Sequence, residues 1–569
     1  MEKEKNGTFG VRVTDTDQVF TNIPTSLIEI LESSVRRNWD LTAFSDFKGK
    51  DYTYGDVAQY VERLHILFKA AGLKKGDKVA ICGKNCAKWA IAFIACITDG
   101  IVSVPILNEF KPETIHHLVN HSDAKLLFTD EPIWNSLDHR QLPELEAVVY
   151  IDEFGIPYSK SKDLECVHDN ITKYFADRFP HGFGSSDIHW HRDTPEETAV
   201  INYTSGSTGM SKGVILPYRA IWSNVKFSME YLTFLLPGDG VVNMLPLAHL
   251  YGLVIEMLHP FAKGCHCCFL GRVPSPAILM GALARMKPKL IITVPLVIEK
   301  IIKTKVFPVI HTPKMRMLMN IPVVKGIICG KIRENLIKAL GGKVREVIIG
   351  GAPLNDEVAA LLRRIKFPFT VGYGMTECGP LITYEEPEKE PAGSVGKIVE
   401  RMESRIDSPD PEKIPGNLWV KGDNVMAGYY KNPEATEEVL RPDGWMNTGD
   451  LVTRDKNGYL RIMGRSKTMI LGPSGQNIYP EEIEHKVNNL PFVVESVVID
   501  DKGKLVALVY PDFEALKEAG KDADTVMNEN LKILNTSLPS YSHISEIRIF
   551  NEEFEKTPKK SIKRFLYQP

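Results

Sequence analysis

A short apolar run, VINY, at residues 200–203 leads directly into TSGSTGMSKGV. The hydroxyls of Thr204, Ser205, Ser207 and Thr208 and the glycines Gly206, Gly209 and Gly213 surround a single cation, Lys212. Hydroxyl and backbone N–H donors around one ammonium suit the crowded oxygens of a polyphosphate, and glycine lets the main chain come close. The spacing is not that of a Walker A loop, which needs G-x-x-x-x-G-K followed by Ser or Thr. Here Gly209 stands three residues before Lys212, and Gly213 follows it. Taken alone, such a stretch is more often a plain turn. Further motifs follow in chain order: PLAHLYG at 246–252, GGAP at 350–353, GYGMTE at 372–377, GWMNTGD at 444–450 and GRSKTMI at 464–470.

With these segments in this order, the sequence resembles the adenylate-forming superfamily of acyl- and aryl-CoA synthetases, luciferases and peptide-synthetase adenylation domains. The resemblance spans nearly the whole chain. It implies an α/β fold, with a large N-terminal domain of stacked mixed sheets and helices (1–463), a hinge (464–468) and a small mobile α+β cap domain (469–569). It further implies that Thr204, Ser205, Gly206, Ser207, Thr208, Gly209 and Lys212 hold the β- and γ-phosphates of ATP. Gly351, Ala352 and Pro353 would flank the adenine, and Tyr373, followed by Gly374, would stack on its face. Thr376 would contact the α-phosphate and Glu377 would ligate Mg²⁺, a hard cation that takes carboxylate and phosphate oxygens together. Asp450 would accept from both ribose hydroxyls, with Arg465 as a second ribose or phosphate contact. Outside this ordered set Asp450 reads as a loop-capping aspartate.

The motif wording looks most like bacterial long-chain fatty acid CoA ligases. The implied reaction joins a fatty acid to ATP as acyl-AMP with release of pyrophosphate, and then transfers the acyl group to coenzyme A. In it Thr204, Glu377, His249 and Lys560 would be the catalytic residues, and Lys467 would be the hinge residue about which the cap turns. A lone histidine in an apolar context is usually a core residue, but in this family the position of His249 gates the carboxylate pocket. No acid occurs in PLAHLYG to pair with a substrate ammonium, which favours a non-amino acid. No carrier-protein segment follows before Pro569, which disfavours a peptide synthetase. The family tail has a K-T-x-x-G-K-I-x-R pattern, whereas this one reads KTPKKSIKR from Lys556 to Arg564 and places Ser561 where the lysine belongs. Lys560 is the replacement assigned here, with Lys559 as the other candidate. Other readings remain: a ligase for medium-chain or aryl acids, one serving an acyl-carrier protein, or a nucleotide-binding sensor that has lost adenylation.

Two local features stand outside those motifs. From Lys300 to Arg345 basic residues interleave with apolar ones and Glu334 is the single acid, a pattern shared by solvated helix faces and by segments that lie on anionic membranes. The CHCC cluster at 265–268 hints at metal, but neighbouring residues of a strand point to opposite faces and cannot close one tetrahedral site. A buried strand is expected there.

These side chains need a scaffold, and β-branched runs alternating with helical patterns supply one of parallel sheets with crossover helices. KVAICG (78–83), AKLLFTD (124–130), KLIITV (289–294) and REVIIGG (345–351) read as strands, and residues 51–73 read as a helix ending near Gly72. Residues 89–107 are the most apolar stretch, but Asp99, Gly100 and Pro105 interrupt it, so a buried helix and strand are expected rather than a membrane span. In the last hundred or so residues, helices at 480–489 and 523–537 and strands at VESVVID, KLVALVY and ISEIRIF outline the small domain. With 69 basic against 72 acidic side chains and 43% apolar residues, the chain is an ordinary globular one and not a nucleic-acid binder driven by bulk charge. Nine cysteines without paired spacing, and no apolar run after MEKEKNGTFG, point to the cytoplasm, with membrane association only through the basic segment. Oligomeric state is not legible.

Overall fold

The run KVAIC forms the strand Lys78–Cys82 near the middle of an eight-stranded sheet. Parallel neighbours Val102–Ile106 and Ala124–Thr129 flank it, and Thr198–Ser205 pairs beyond the first of these. Antiparallel strands Ser211–Pro217 and Gly428–Tyr429 complete that side of the sheet. The computed structural model describes residues 23–205, 211–271, 275–471, 477–557 and 562–568. Beneath the sheet runs the helix Ala87–Thr98, in which every residue but Lys88 is buried. Trp89 and Phe93 stack in it with ring centroids 5.9 Å apart. Fully burying aromatic side chains of this kind contributes about 1.5–3 kcal/mol each, so this apolar stretch anchors the core rather than a membrane. Among the described residues no helix is long and apolar enough to cross a bilayer.

A second sheet joins Gly240–Asn243, His266–Phe269, Thr42–Asp46 and Asp51–Thr53. The CHCC segment therefore runs into an interior strand of this sheet, with Cys265, Cys267 and Cys268 fully buried and burial pushing their thiols up. No metal-competent cluster of His, Cys, Asp or Glu occurs among the described residues. The helix expected over 51–73 begins only at Tyr54. Asp51–Thr53 is a strand, and Thr53 caps the helix in a reciprocal capping box with Asp56. Local capping chemistry thus set the boundary that apolar periodicity placed too early.

Leu290–Thr293, Glu346–Ile349 and Phe369–Val371 form a parallel sheet whose C-terminal ends carry GGAP and GYGMTE. Met402–Asp407, Gly416–Gly422, Met446–Arg454 and Leu460–Arg465 form an antiparallel one. The last strand runs through Gly464 to Arg465, so the chain leaves the sheet only after that arginine. Beyond it, Val493–Asp501, Lys504–Pro511 and Glu546–Ile549 form a mixed sheet covered by the helices Pro480–Val487 and Ala523–Ser537. Buried side chains between Ile478 and Phe554 make apolar clusters of their own. The result is the two-domain α/β architecture expected from the sequence.

Glu346 opens the central strand below GGAP and is 4% exposed, with the hydroxyl of Tyr384 donating to both of its carboxylate oxygens at 2.9 and 3.2 Å. Burial raises its pKa to about 7 from the ordinary 4.5, against the opposing pull of that hydroxyl. The folded state holds this proton more tightly than the unfolded chain. Its contribution to stability is complete below the unfolded value and is lost as pH rises through about 7. Glu346→Gln, which has no proton to lose, should therefore gain in Tm relative to the parent between about pH 5 and about pH 8, read by differential scanning calorimetry.

Candidate functional site

The hydroxyl- and glycine-rich segment lies between two antiparallel paired strands, Thr198–Ser205 and Ser211–Pro217. Thr204 pairs with Lys212 and Ser205 with Ser211, while Tyr203 lies opposite Gly213. Both flanks of the segment are thus fixed by strand register, whereas Gly206, Ser207, Thr208 and Gly209 lie outside the described residues. The Lys212 ammonium sits 4.9 Å from the ring centroid of Tyr429, a cation–π contact across the strand pair that joins 211–217 to 428–429. The hydroxyl of the same tyrosine donates to Glu377 Oε1 at 2.9 Å, and the Glu377 carbonyl accepts from the Met426 amide at 2.9 Å. One aromatic side chain therefore joins the only cation of the hairpin motif to the carboxylate of GYGMTE. An ionised carboxylate has about four acceptor positions and Tyr429 takes one, so Glu377 keeps capacity for a hard cation.

Thr376, Glu377 and Cys378 form a single 3₁₀ turn between the antiparallel strands Tyr373–Gly374 and Leu381–Tyr384. Gly374 is obligatory there, since a Cβ would lie 2.1 Å from the Pro380 carbonyl oxygen. Asn224, fully buried on the helix Tyr218–Tyr231, fixes this turn. Its side-chain nitrogen donates to the Cys378 carbonyl at 3.2 Å, and its side-chain oxygen accepts from the Leu381 amide at 3.0 Å.

Asp450 lies within the strand Met446–Arg454, directly opposite Arg465 in register. Its side chain is not a loop cap. It is almost wholly buried, accepts from the Tyr373 hydroxyl at 2.5 Å through Oδ2, and is paired through Oδ1 with Arg465 Nε at 2.9 Å. Burial raises its pKa above the usual carboxylate range, while Arg465 and the Tyr373 hydroxyl pull it down. The Arg465 guanidinium is in turn raised by Asp450.

The loop carrying His249 is tied to both neighbouring strands. Asn202, two residues before Thr204, donates to the Ala248 carbonyl at 2.8 Å, and the Tyr251 hydroxyl donates to the Ile348 carbonyl at 3.1 Å. His249 is half-buried at the head of the helical turn that follows, where its carbonyl accepts from the Leu253 amide at 2.8 Å. Tyr251 also packs under Gly350, where an added Cβ would lie 3.2 Å from its ring. Gly351, with φ of +87°, then turns the chain, and Ala352 and Pro353 stand exposed. Hydrogen bonds and pairings thus bring Thr204, Lys212, His249, Gly351, Tyr373, Glu377, Asp450 and Arg465 into one connected region.

In the tail, Lys556 pairs with Ile562 across an antiparallel bridge, and the Lys563 amide donates to the Glu555 carbonyl at 2.8 Å. Lys559, Lys560 and Ser561 lie outside the described residues, between those paired flanks. Lys556 itself is engaged by Glu495 at 2.7 Å.

Sequence reasoning missed Tyr429, Asn202, Asn224 and Glu256. Glu256 is fully buried and accepts the amides of Met244 and Leu245 at 3.0 and 2.9 Å, just before the His249 loop. Its signal was present, since it is the only acid in the apolar run from Leu250 to Cys265. An acid in such a place must find donors. Tyr429 carries no comparable signal, because its partners lie far away in the chain.

Residues 31–430 match the family model described as AMP-binding enzyme. The chain is 28% identical over 501 residues to long chain acyl-CoA synthetase 7, peroxisomal, of Arabidopsis thaliana, covering 82% of this chain and 69% of that protein. It is 28% identical over 497 residues to the long-chain-fatty-acid–CoA ligase of Yersinia pestis, covering 83% and 82%. In fold it is similar to o-succinylbenzoate coenzyme A synthetase from Bacillus subtilis in complex with ATP and magnesium ion. That match has a TM-score of 0.73 at 21% identity and covers 94% of this chain and 98% of that one.

Tyr429→Phe keeps the ring beneath Lys212 and removes only the bond to Glu377. Loss of one such bond should weaken ATP binding roughly two- to tenfold, read by titration calorimetry, with Tm nearly unchanged. Unaltered affinity would place Tyr429 outside the nucleotide site.

Proposed function

The chain belongs to the AMP-binding enzyme family, and from that premise we propose that it is an AMP-forming acid–thiol ligase that converts long-chain fatty acids to acyl-CoA. The observation that carries the reading is the bonded connection of Lys212 through Tyr429 to Glu377, beside the bonded set of Tyr373, Asp450 and Arg465. A polyphosphate-binding cation and a metal-competent carboxylate thereby stand next to a buried carboxylate suited to vicinal hydroxyls. The two acyl-CoA ligase relatives support the choice of acid and thiol.

In this reading Lys212 and the segment 204–209 hold the β- and γ-phosphates, and Tyr373 and Gly351 to Pro353 line the adenine. Asp450 trades its present partners for the ribose hydroxyls. Glu377 would hold Mg²⁺, which would supply charge neutralisation on the phosphate oxygens. The fatty carboxylate, entering past His249, attacks the α-phosphorus, the bond to the bridging oxygen breaks and pyrophosphate leaves. The thiol of coenzyme A then adds to the acyl carbonyl, loses its proton, and AMP departs with its oxygen. Little covalent chemistry falls to the protein, so catalysis is positioning plus electrostatic stabilisation.

We assign 1–463 as the adenylation core, 464–468 as the hinge with Lys467 at its pivot, and 469–569 as the cap. Lys560 is assigned to orient the carboxylate and α-phosphate in the first step. Nine cysteines standing as free thiols support a reducing, cytoplasmic setting.

The test is pyrophosphate exchange with acids from acetate to oleate, followed by thioester formation with coenzyme A. Exchange should rise with chain length and depend on Mg²⁺. Glu377→Gln should lower it roughly 10²-fold, as loss of a preorganised charge stabiliser does. Lys560→Ala should lose exchange yet still thiolate supplied acyl-adenylate, whereas ATP binding with no exchange for any acid would support a sensor instead.

A further inference from the structure

Between Lys300 and Arg333 the sequence holds eight lysines and arginines and no acid, in a chain whose net charge is −3. The same stretch and its flank concentrate exposed apolar side chains. Among the described residues, Val323, Met317, Leu296 and Ile327 are 76%, 75%, 72% and 68% exposed, and Ile321 and Val309 are 48% and 52%. Folding does not require them outside. Ile298, Ile302, Val306, Ile310, Cys329 and Leu336 already form the inward face of this segment, packed in one cluster with the strand Glu346–Ile349. The first two turns of the helix Pro322–Ala339 carry Val323 and Ile327 into solvent, with Lys325 and Lys331 also exposed. Of the described lysines and arginines from Lys300 to Arg333, Lys303 alone stands within 4.0 Å of a carboxylate, that of Glu299, while His311 faces Glu357 at 3.4 Å.

We propose that this face, residues 296–333, is a docking surface for an anionic lipid bilayer. Apolar side chains ringed by lysines match the interface of such a bilayer, where methylenes enter the acyl boundary and ammonium groups meet lipid phosphates. The juxtamembrane negative potential attracts each base additively. A second copy of the chain is a poor occupant, because it would set the same positive face against itself. The surface is also joined to the nucleotide site. Helix Pro295–Ile301 starts beside Val294, which lies 3.8 Å from where a Gly351 Cβ would stand, and Glu299 Oε1 accepts the Asn355 amide at 2.9 Å. Docking would therefore place the adenine wall one helix away from the phase in which long acyl chains dissolve. This last point rests on the ligase reading, whereas the docking itself does not.

The test is sedimentation of the intact protein with phosphatidylcholine vesicles, with and without phosphatidylglycerol, at low and high salt. The expected result is binding to the anionic vesicles at least tenfold tighter than to neutral ones and weakened by salt. Two paired variants, Val323→Ser with Ile327→Ser and Lys325→Glu with Lys331→Glu, should each reduce it at least tenfold with Tm and pyrophosphate exchange in detergent retained. Equal affinity for both vesicle types, or unchanged binding in both variants, would overturn the proposal. So would a concentration-dependent dimer that the variants abolish in place of vesicle binding. Vesicle binding without exchange would count against the ligase reading and leave the surface intact.

Discussion

A carboxylate removed from water has to be met by donors, and Asp450 obtains them from two distant places in the chain, Tyr373 and Arg465. That demand fixes the antiparallel sheet ending at Arg465 against the hairpin that carries GYGMTE. The second carboxylate of the site is held in the reverse sense. Tyr429, from the segment preceding the Asp450 strand, reaches back to Glu377, while Tyr373, from the hairpin of Glu377, reaches forward to Asp450. Two tyrosines thus lace two elements together, each serving the other's acid. Both bonds cross between elements, so neither acid can be placed correctly unless the whole N-terminal architecture is.

Strands and helices were legible where burial enforces a period. KVAIC, AKLLFT and EVII are strands because all or nearly all of their positions are interior, and the helix Ala87–Thr98 is buried all round. What the pattern did not reveal was contact chemistry. Thr53 begins a helix through a reciprocal cap that overrides the apolar periodicity, and the strands flanking the hydroxyl-rich motif stay paired as far as Ser205 and Ser211. Asn224 and Asn202 look like ordinary helical and strand residues until their partners, 154 and 46 positions away, are seen. The ordered motifs, by contrast, marked most of the residues that the fold brings together.

The segment from Leu296 to Arg333 shows the opposite relation. Its inward residues obey the core and its outward ones do not, so an exterior surface is shaped by something other than folding. Its rigid link through Glu299 to Asn355 means that such a surface is not a loose appendage.

Arg465 is at once the partner of Asp450 and the final residue of its strand. The register of a sheet, which is stiff, therefore holds the arginine opposite the acid, and the Ser466 amide, donating to the Gly449 carbonyl at 3.0 Å, carries that hold one residue further. Asp450 is therefore tied to the end of that strand by two routes, the Arg465 side chain and the backbone of Gly449 beside it.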